Sequence, residues 1–250
     1  MSKYLTKVFS AHSQKLIKTI IKLVKYFLAK FGVGIYRISN AEEKKQKNLS
    51  CDFAIKFNSL KNINEFYSSD FDKNYLSKDR LLFYNELIDL SIKKGITFEN
   101  KNIVDIGCGP GALLNELKKR YQNSRLTGLD FSESAILYAK KKMHGISFEI
   151  KDICQQQIDK KYDVIFCTEV LEHLLNPLPF LKKLLTMMTD NGVVILTTPN
   201  GRIDNFVGHI HFWSPESWSL FLNDQFPNFK IDTLLMKDGD INLAFISKKS

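Results

Sequence analysis

The sequence predicts an α/β fold in which a mainly parallel sheet carries helices on both faces. A strand, a tight turn and a helix are indicated by the apolar run 103–106, three alternate glycines, and then Leu113, Leu114 and Leu117 at helical spacing. Further apolar runs alternate with helical patterns through the rest of the chain. Such alternation is typical of parallel strands joined by crossover helices.

The turn after the first predicted strand suits a bound ligand. Gly107, Gly109 and Gly111 tolerate positive φ and leave the backbone bare, and the following helix begins with unpaired N–H groups. Asp105 stands just before the turn, where its carboxylate would repel a pyrophosphate and attract a cationic amine. A dinucleotide site would instead favour G-x-G-x-x-G, so the pattern indicates a nucleotide-like cofactor that carries positive charge.

Acidic residues follow the next two predicted strands, 125–130 and 146–150. The carboxylate of Asp130 is placed to accept both hydroxyls of a ribose, as acids do at this position in nucleotide-binding folds. Because the carboxyl ends of parallel strands meet at one edge of a sheet, we expect these residues to share a crevice with the glycine turn. The contacts expected from the second strand are Asp130, Phe131 and Ser132, and Asp152 follows the third strand at the same edge.

Two more strands complete the predicted parallel part of the sheet. The fourth strand spans residues 162–167 and leads into the acidic segment 169–173. An amphipathic helix is predicted over 179–188, and Asn191-Gly192 predicts a turn before the fifth strand at 193–200.

The glycine segment 104–111 resembles the first motif of class I S-adenosylmethionine (SAM)-dependent methyltransferases, and the segment after the fourth strand matches the same family. The resemblance covers roughly residues 79–250. It implies a Rossmann-like, seven-stranded mixed sheet with SAM as cofactor. It also implies that Asp152 contacts the adenine amino group, that the backbone N–H of Ile153 contacts the ring, and that Cys108 is a small residue facing the cofactor.

Candidates for the methyl-acceptor site lie in two short segments. Transfer to a hydroxyl requires the acceptor to be held, and its proton removed or its oxygen bound to a cation. Glu169, Glu172 and His173 would share one face if a helix began here. His209 and His211 lie in the loop after the fifth strand, which returns to the same edge. We expect Glu172, His173 and His211 to be catalytic.

The E-x-x-E-H segment resembles segments of two O-methyltransferase families, the ubiquinone-biosynthesis enzymes and the small-RNA 3′-terminal 2′-O-methyltransferases. This resemblance implies that Mg²⁺ or Mn²⁺ is held by Glu169, Glu172, His173, His209 and His211. Many SAM enzymes carry a similar segment without a metal. In that alternative Glu169 lines the cofactor pocket and His173 is a general base or a packing residue.

The basic character of the chain is confined to its first part. Residues 1–48 contain eleven Lys or Arg and two acids, a surplus of nine positive charges that equals the net charge of the whole chain. The remainder is balanced, which argues against a broad nucleic-acid surface there. The four cysteines have no C-x-x-C spacing, so we expect reduced thiols and a cytoplasmic protein.

Residues 15–31 have the pattern of an amphipathic helix, with lysines opposite an aliphatic and aromatic face. Lysines interrupt the run too often for a transmembrane span or a signal peptide. We expect this helix to attach to an anionic membrane, peripherally on its inner face; packing on the core, a dimer contact and attraction to RNA are the alternatives. The predicted organisation is a basic amphipathic segment (1–40), a linker or lid (41–78) and a methyltransferase domain (79–250).

These features predict a SAM-dependent methyltransferase that methylates an oxygen of a small or lipid-linked acceptor, of saccharide or quinol type. One alternative is 2′-O-methylation at the 3′ end of an RNA. The other is a membrane-attached protein that binds SAM without catalysis.

Overall fold

The computed structural model describes residues 58–59, 61–63 and 76–249. The predicted N-terminal helix, most of the predicted linker and Cys51 lie outside these residues. The elements in chain order are α1 (Lys78–Lys93), β1 (Asn102–Ile106), α2 (Ala112–Arg120), β2 (Arg125–Asp130), α3 (Glu133–Lys142), β3 (Ser147–Ile150), β4 (Tyr162–Thr168), α4 (Pro177–Thr186), β5 (Met188–Pro199), α5 (Pro215–Gln225), β6 (Phe229–Met236) and β7 (Ile241–Lys248).

The strands form one seven-stranded sheet in the order β3-β2-β1-β4-β5-β7-β6. The first five of these are parallel, and β7 runs antiparallel to both β5 and β6. The predicted seven-stranded mixed sheet is therefore confirmed. From β1 the chain builds outward first to β2 and β3 and then, on the other side, to β4 and β5. Such a reversal of strand order opens a crevice at the carboxyl ends of the two central strands.

Alternate residues of the central strands point into two separate cores. On β1, Ile103 belongs to the core that α1, α2 and α3 cover, and Val104 belongs to the core that α4 and α5 cover. The same alternation occurs on β4, where Phe166 faces the first core and Ile165 the second. The period of two follows from strand geometry. Helices on both faces of the sheet, as predicted, bury these apolar side chains.

The boundary between α4 and β5 differs from the prediction. The helix ends at Thr186, and the strand begins at Met188 and runs through Asn191-Gly192 without the predicted turn. Instead the register with β4 shifts here, because Tyr162 pairs with Met188 and Val164 pairs with Val193. The extra residues of β5 are absorbed as a bulge. The turn predicted from Asn191-Gly192 was wrong.

The domain helix α1 begins near the predicted boundary at residue 79. Its N-cap is Ser77, whose hydroxyl accepts the backbone N–H of Arg80 at 3.3 Å. The boundaries 40/41 and 78/79 themselves remain predictions. Within residues 58–59, 61–63 and 76–249, no helix has the length and apolar character needed to span a membrane.

Candidate functional site

A cavity of about 510 Å³ opens at the carboxyl ends of β1, β2 and β4. It lies where the order of the strands reverses, the place at which open α/β sheets bind ligands. The predicted site residues that line it are Asp105, Gly107, Cys108, Gly109, Asp130, Phe131, Asp152, Ile153, Glu169, Glu172, His173 and His209. The remaining three predicted residues, Gly111, Ser132 and His211, do not line it.

The glycine turn forms one wall of the cavity. Gly107 has a φ of +73°, and a Cβ there would collide with the side chain of Val170. Gly111 has a φ of +82° and caps α2, but it faces away from the cavity. A Cβ on Gly111 would lie 2.6 Å from the ring of Phe148, so this glycine permits close packing rather than ligand contact. Its assignment as a cofactor contact is corrected accordingly.

Asp130 ties the end of β2 to the glycine turn. Its Oδ2 accepts the backbone N–H of Gly109 at 2.8 Å, and its Oδ1 accepts the N–H of Ser132 at 2.8 Å. Burial raises the pKa of Asp130 to about 6, although these two hydrogen bonds favour the ionised form. Ser132 is itself fully buried and caps α3 by accepting the N–H of Ala135. Ser132 therefore holds Asp130 in place rather than contacting a ligand, which corrects its predicted role.

Asp105 is buried at the end of β1 with an incomplete set of hydrogen bonds. Its Oδ1 has no hydrogen-bond partner among the described residues, and the residue as a whole is 2% exposed. Burial, and then repulsion from Asp130, raise the pKa of Asp105 well above its usual range. A buried carboxylate without a partner is costly unless a cation or a donor completes it. The ammonium group of SAM has the charge and the hydrogen atoms to do so.

Asp152 and Ile153 follow β3 as expected. The Oδ1 of Asp152 accepts the N–H of Cys154 at 2.9 Å, and its carbonyl accepts the N–H of Gln156 at 2.8 Å. Asp152 thus both builds a turn and lines the cavity.

Cys108 is part of the glycine turn and lines the cavity. Burial raises the pKa of its thiol, so the thiol stays protonated and unreactive.

The acidic segment after β4 does not form the α-helix that would have placed Glu169, Glu172 and His173 on one face. Only Leu171–His173 forms a short 3₁₀ turn, and Glu169 precedes it with a φ of +55°. This left-handed conformation is uncommon for a residue with a side chain. It is held by Thr197, whose hydroxyl donates to the Oε1 of Glu169 at 3.0 Å and whose carbonyl accepts the N–H of Glu169 at 3.1 Å. Burial raises the pKa of Glu169.

Two imidazole rings face each other beside this turn. His173 and His209 pack edge to face with centroids 4.7 Å apart. The Nδ1 of His173 lies 3.2 Å from the carbonyl oxygen of Gly208, and the Nδ1 of His209 lies 2.5 Å from Oδ2 of Asp204. Both partners are acceptors, so each Nδ1 carries a hydrogen, and in the neutral form of either ring Nε2 carries a lone pair. Burial, and then repulsion from His209, lower the pKa of His173 to about 4.

Glu172 completes a cluster of hydrogen-bond acceptors. It is fully buried, and neither of its carboxylate oxygens has a hydrogen-bond partner among the described residues. Its Oε1 lies 4.0 Å from Nε2 of His209. Burial, and then repulsion from Glu169, raise the pKa of Glu172 well above its usual range. Ligand atoms of Glu172, His173 and His209 all lie within 4.8 Å of one another, so they could hold a metal ion.

Glu169 and His211 are not part of this cluster. The Nε2 of His211 lies 2.9 Å from the carbonyl oxygen of Leu174, and its ring stacks on Trp213 with centroids 4.9 Å apart. The backbone N–H groups of Ile210 and His211 donate to the carbonyl of Glu172 at 2.7 and 3.2 Å, which brings the loop to the site. His211 thus anchors the loop through its backbone and packs with its ring. Its predicted catalytic and metal-binding roles are corrected.

Sequence reasoning missed three residues that shape the acceptor side. Asp204 holds His209, and Thr197 holds Glu169, as described above. Asn58, in the predicted lid, lines the cavity and donates from Nδ2 to the carbonyls of Gly208 at 2.8 Å and His173 at 3.4 Å. The contacts of Thr197 and Asn58 join residues 28 or more positions apart, and that of Asp204 joins residues five positions apart within an irregular loop, so no local pattern signals them. The general prediction of a lid before the first strand was the nearest indication.

Comparisons with known proteins agree with this geometry. The model of a family described as "Methyltransferase domain" matches residues 97–232, more than half of the chain. The ubiquinone biosynthesis O-methyltransferase of Coxiella burnetii is 32% identical over 114 residues, which are 44% of this chain and 48% of that protein. The (S)-tetrahydroprotoberberine N-methyltransferase of Eschscholzia californica is 31% identical over 103 residues, 39% of this chain and 29% of that protein. The chain thus spans about half or less of the length of these relatives.

A solved structure has the same fold. The plantazolicin methyltransferase BpumL, in complex with a monoazolic desmethyl-plantazolicin analogue and S-adenosylhomocysteine, superposes with a TM-score of 0.62 at 17% identity. The match covers 80% of this chain and 98% of that one. At this identity the likeness concerns the fold, and it confirms the Rossmann-like arrangement. With the match of the family model, the chain belongs to the methyltransferase-domain family of class I, SAM-dependent methyltransferases.

Proposed function

We propose that this protein transfers a methyl group from SAM to an oxygen of a small or lipid-linked acceptor, of saccharide or quinol type. The observation that carries the proposal is the cluster formed by Glu172, His173 and His209 beside the cofactor crevice. Their ligand atoms lie within 4.8 Å of one another, and neither carboxylate oxygen of Glu172 has a hydrogen-bond partner within 3.5 Å among the described residues. A hydroxyl group supplies the hydrogen that such a cluster needs.

The cofactor crevice supports a defined placement of SAM. Asp105 would accept the ammonium group, Asp130 the ribose hydroxyls, and Asp152 with the backbone of Ile153 the adenine edge. When bound, SAM supplies an electrophilic methyl group on a sulfonium. The cluster of Glu172, His173 and His209 lies beyond the glycine turn, on the side of β4. An acceptor that enters the same cavity would meet the methyl group there.

The histidine pair is suited to take a proton from the acceptor. The pKa of His173 is about 4, so its imidazole is neutral at neutral pH and a weak base, and the lone pair on its Nε2 is suited to accept a hydrogen bond from the acceptor hydroxyl. His209 presents Nε2 in the same way. With SAM bound, the hydrogen of the acceptor hydroxyl would pass to Nε2 of His209, while the carbon–sulfur bond would break with its electron pair left on sulfur.

An apolar rim around the acceptor side supports an acceptor with an apolar portion. Phe206 lines the cavity, is exposed, and lies 4.8 Å from the ring of His209. Phe212 is also exposed, with its centroid 6.3 Å from that of His209. Further exposed apolar side chains in the same loop are Ile203 and Val207. An aromatic and aliphatic rim of this kind favours a quinol or a lipid-linked saccharide over a fully polar acceptor.

A metal-assisted version of the reaction is a second candidate. One carboxylate and two imidazoles suit Mn²⁺ or Mg²⁺, with Mn²⁺ favoured by the two nitrogen ligands. In each imidazole Nδ1 donates its hydrogen to an acceptor, which leaves Nε2 for a metal ion. Metal-bound histidines have this arrangement. A bound cation would also complete the unpartnered oxygens of Glu172. The metal would lower the pKa of the acceptor hydroxyl and position it.

Two measurements separate these versions. In the base version, Glu172→Gln and His173→Gln lower kcat while the affinity for S-adenosylhomocysteine is unchanged, and EDTA has no effect. In the metal version, EDTA abolishes turnover, Mn²⁺ or Mg²⁺ restores it, and Mn²⁺ raises the Tm of the wild type but not of Glu172→Gln. If neither variant changes kcat, the cluster is not the acceptor site.

The other expectations from the sequence remain proposals. Attachment of residues 15–31 to an anionic membrane would bring the enzyme to a lipid-linked acceptor. Methylation of an RNA 3′ end would require a basic surface near the cavity, and the balanced charge of residues 49–250 gives it less support. A SAM-binding protein without catalysis has less support, because no acceptor or metal would then offset the cost of burying the Glu172 carboxylate, whose oxygens have no hydrogen-bond partner among the described residues. The three possibilities differ in whether labelled SAM yields a methylated lipid, a methylated RNA or neither.

A further inference from the structure

We propose that Asp204 is a positioning residue for the acceptor site: it fixes the imidazole of His209 with the Nε2 lone pair directed at Glu172. The inference rests on the proposed function, because it gives Asp204 a role in arranging the groups that meet the acceptor. Asp204 itself does not line the cavity.

The carboxylate of Asp204 is held at both oxygens. Its Oδ2 lies 2.5 Å from Nδ1 of His209, and its Oδ1 accepts the backbone N–H of Phe206 at 3.1 Å. The N–H of Asp204 donates to the carbonyl of Asn200 at 3.0 Å, which fixes the backbone of the loop. The side chains of Asp204 and His209 are each only 10% exposed. The pair is therefore largely screened from water, and its geometry is set before any ligand arrives.

This contact determines which nitrogen of His209 carries hydrogen. An ionised carboxylate only accepts hydrogen bonds, so the nitrogen that faces it must be protonated. A neutral imidazole has one N–H, and Nε2 is then left with a lone pair. That lone pair is on the side of Glu172, whose Oε1 lies 4.0 Å away. Rotation of the ring by 180° would place a C–H against the carboxylate instead of an N–H.

The other contacts of His209 do not select this orientation. Its neighbours are the rings of His173, Phe206 and Phe212, at centroid distances of 4.7, 4.8 and 6.3 Å. Aromatic contacts of this kind accept either ring flip and either tautomer. Among the described contacts of the imidazole, two distinguish Nδ1 from Nε2: Asp204 lies 2.5 Å from Nδ1, within hydrogen-bond distance, whereas Glu172 lies 4.0 Å from Nε2, beyond it. His173 differs, because its Nδ1 faces a neutral carbonyl, that of Gly208.

The contact with Asp204 decides whether Nε2 of His209 accepts or donates a hydrogen bond at the acceptor site. With Asp204 in place, a neutral His209 offers the acceptor the lone pair of its Nε2, next to that of His173. Without it, Nε2 of His209 is free to carry hydrogen and would then donate to Glu172. A neutral His209 that donates to Glu172 no longer accepts the hydrogen of a substrate hydroxyl, nor binds a cation.

The test combines NMR with kinetics on the full chain. Histidine labelled with ¹⁵N in the imidazole ring reports which nitrogen carries hydrogen, and the His209→Gln spectrum assigns the signal. The wild type is expected to show His209 with hydrogen on Nδ1. In Asp204→Ala we expect the Nε2–H tautomer to become substantially populated and kcat to fall about 10- to 100-fold, the range for loss of an orienting partner. The Kd for S-adenosylhomocysteine should stay within about 2-fold.

Matched controls keep the inference open to contradiction. Asp224→Ala removes an exposed carboxylate and should change neither the His209 signal nor kcat. Retained binding of S-adenosylhomocysteine shows that Asp204→Ala is folded. An Nε2–H tautomer in the wild type, an unchanged tautomer in Asp204→Ala, or a changed tautomer with unchanged kcat would each overturn the role of Asp204. If the proposed function itself fails, the wild type transfers no methyl group to any acceptor, whatever the NMR signal shows.

Discussion

The carboxylate of Asp130 accepts the backbone N–H of Gly109 at 2.8 Å, so the acid at the end of β2 holds the glycine turn at the end of β1. The N–H of Ser132 donates to its other oxygen at 2.8 Å. Each oxygen keeps a further lone pair for a ligand. Turn and acid therefore form one rigid unit, and a ribose that binds Asp130 is placed against the turn without any rearrangement.

Asp130 makes the affinity for SAM depend on pH. The pKa of the free carboxyl is about 6, and the ribose hydroxyls favour its ionised form. Binding is therefore strongest above pH 6 and weakens as the pH falls below it, by up to about tenfold per unit. Asp130→Asn should bind more weakly at pH 7.5 and show a weaker pH dependence, the remainder of which comes from Asp105. Calorimetry with S-adenosylhomocysteine at pH 5 and pH 7.5 checks both statements; an equal dependence in wild type and Asp130→Asn would contradict the assignment.

Two glycines with nearly the same φ allow the packing at the turn to be measured. Gly95 has a φ of +83° and Gly111 one of +82°, but a Cβ on Gly95 meets open space whereas one on Gly111 would meet Phe148 at 2.6 Å. Substitution by alanine costs about 1–2 kcal/mol at either position for the positive φ. At Gly111 overpacking adds about 1–3 kcal/mol. Urea unfolding of the two variants measures the difference, and equal losses would show that Phe148 moves aside freely.

The cofactor half of the site could be predicted from sequence, and the acceptor half only in part. The cofactor side depends on residues at or just after the ends of apolar strands: Asp105, Gly107 and Asp130. Parallel strands bring their carboxyl ends together regardless of the conformation of the connecting loops. The separation of Glu169 from the cluster of Glu172, His173 and His209 could not be predicted, because Glu169 adopts a left-handed conformation held by Thr197, 28 residues later.

The choice between the two histidines of the H-x-H segment also depended on distant contacts. The backbone of Ile210 donates to the carbonyl of Glu172, which turns His209 toward the cavity and leaves His211 beside Trp213. Alternation along a strand would have placed both histidines on one side. The loop is not a strand, so the spacing carried no such information.

Asn58 links the predicted lid to the acceptor loop, and its loss should affect the acceptor alone. Asn58→Ala removes the hydrogen bonds to Gly208 and His173 and should raise the KM for the acceptor about 3- to 10-fold, as expected for about 1 kcal/mol. The Kd for S-adenosylhomocysteine should not change. Asn123→Ala, which removes a comparable 2.7 Å hydrogen bond to Glu99 at the surface, serves as the control. A larger loss of cofactor affinity than of acceptor KM would assign Asn58 to the cofactor instead.

The membrane proposal predicts that substitutions on the two sides of the amphipathic helix expected over residues 15–31 differ in their effect on membrane binding. On a helix Phe27 shares a face with Leu23, whereas its neighbour Tyr26 lies on the side of Lys22. Phe27→Glu should therefore reduce co-sedimentation with anionic vesicles more than Tyr26→Glu does, although both add the same charge. Binding should also weaken with salt. Wild-type protein that stays in the supernatant at low salt, together with unfolding after deletion of residues 1–38, would favour packing on the core.

The measurement that tests the central claim most directly is the fate of the methyl group. Wild-type protein is incubated with SAM carrying a ¹³C-methyl group and with a lipid and metabolite extract, and the labelled product is identified by mass spectrometry and NMR. Asp105→Ala, which removes the proposed ammonium contact, is the negative control. We predict one labelled product class with the ¹³C-methyl group on oxygen and no product from the variant. A label on nitrogen, or wild-type protein that binds S-adenosylhomocysteine but labels nothing, would contradict the account.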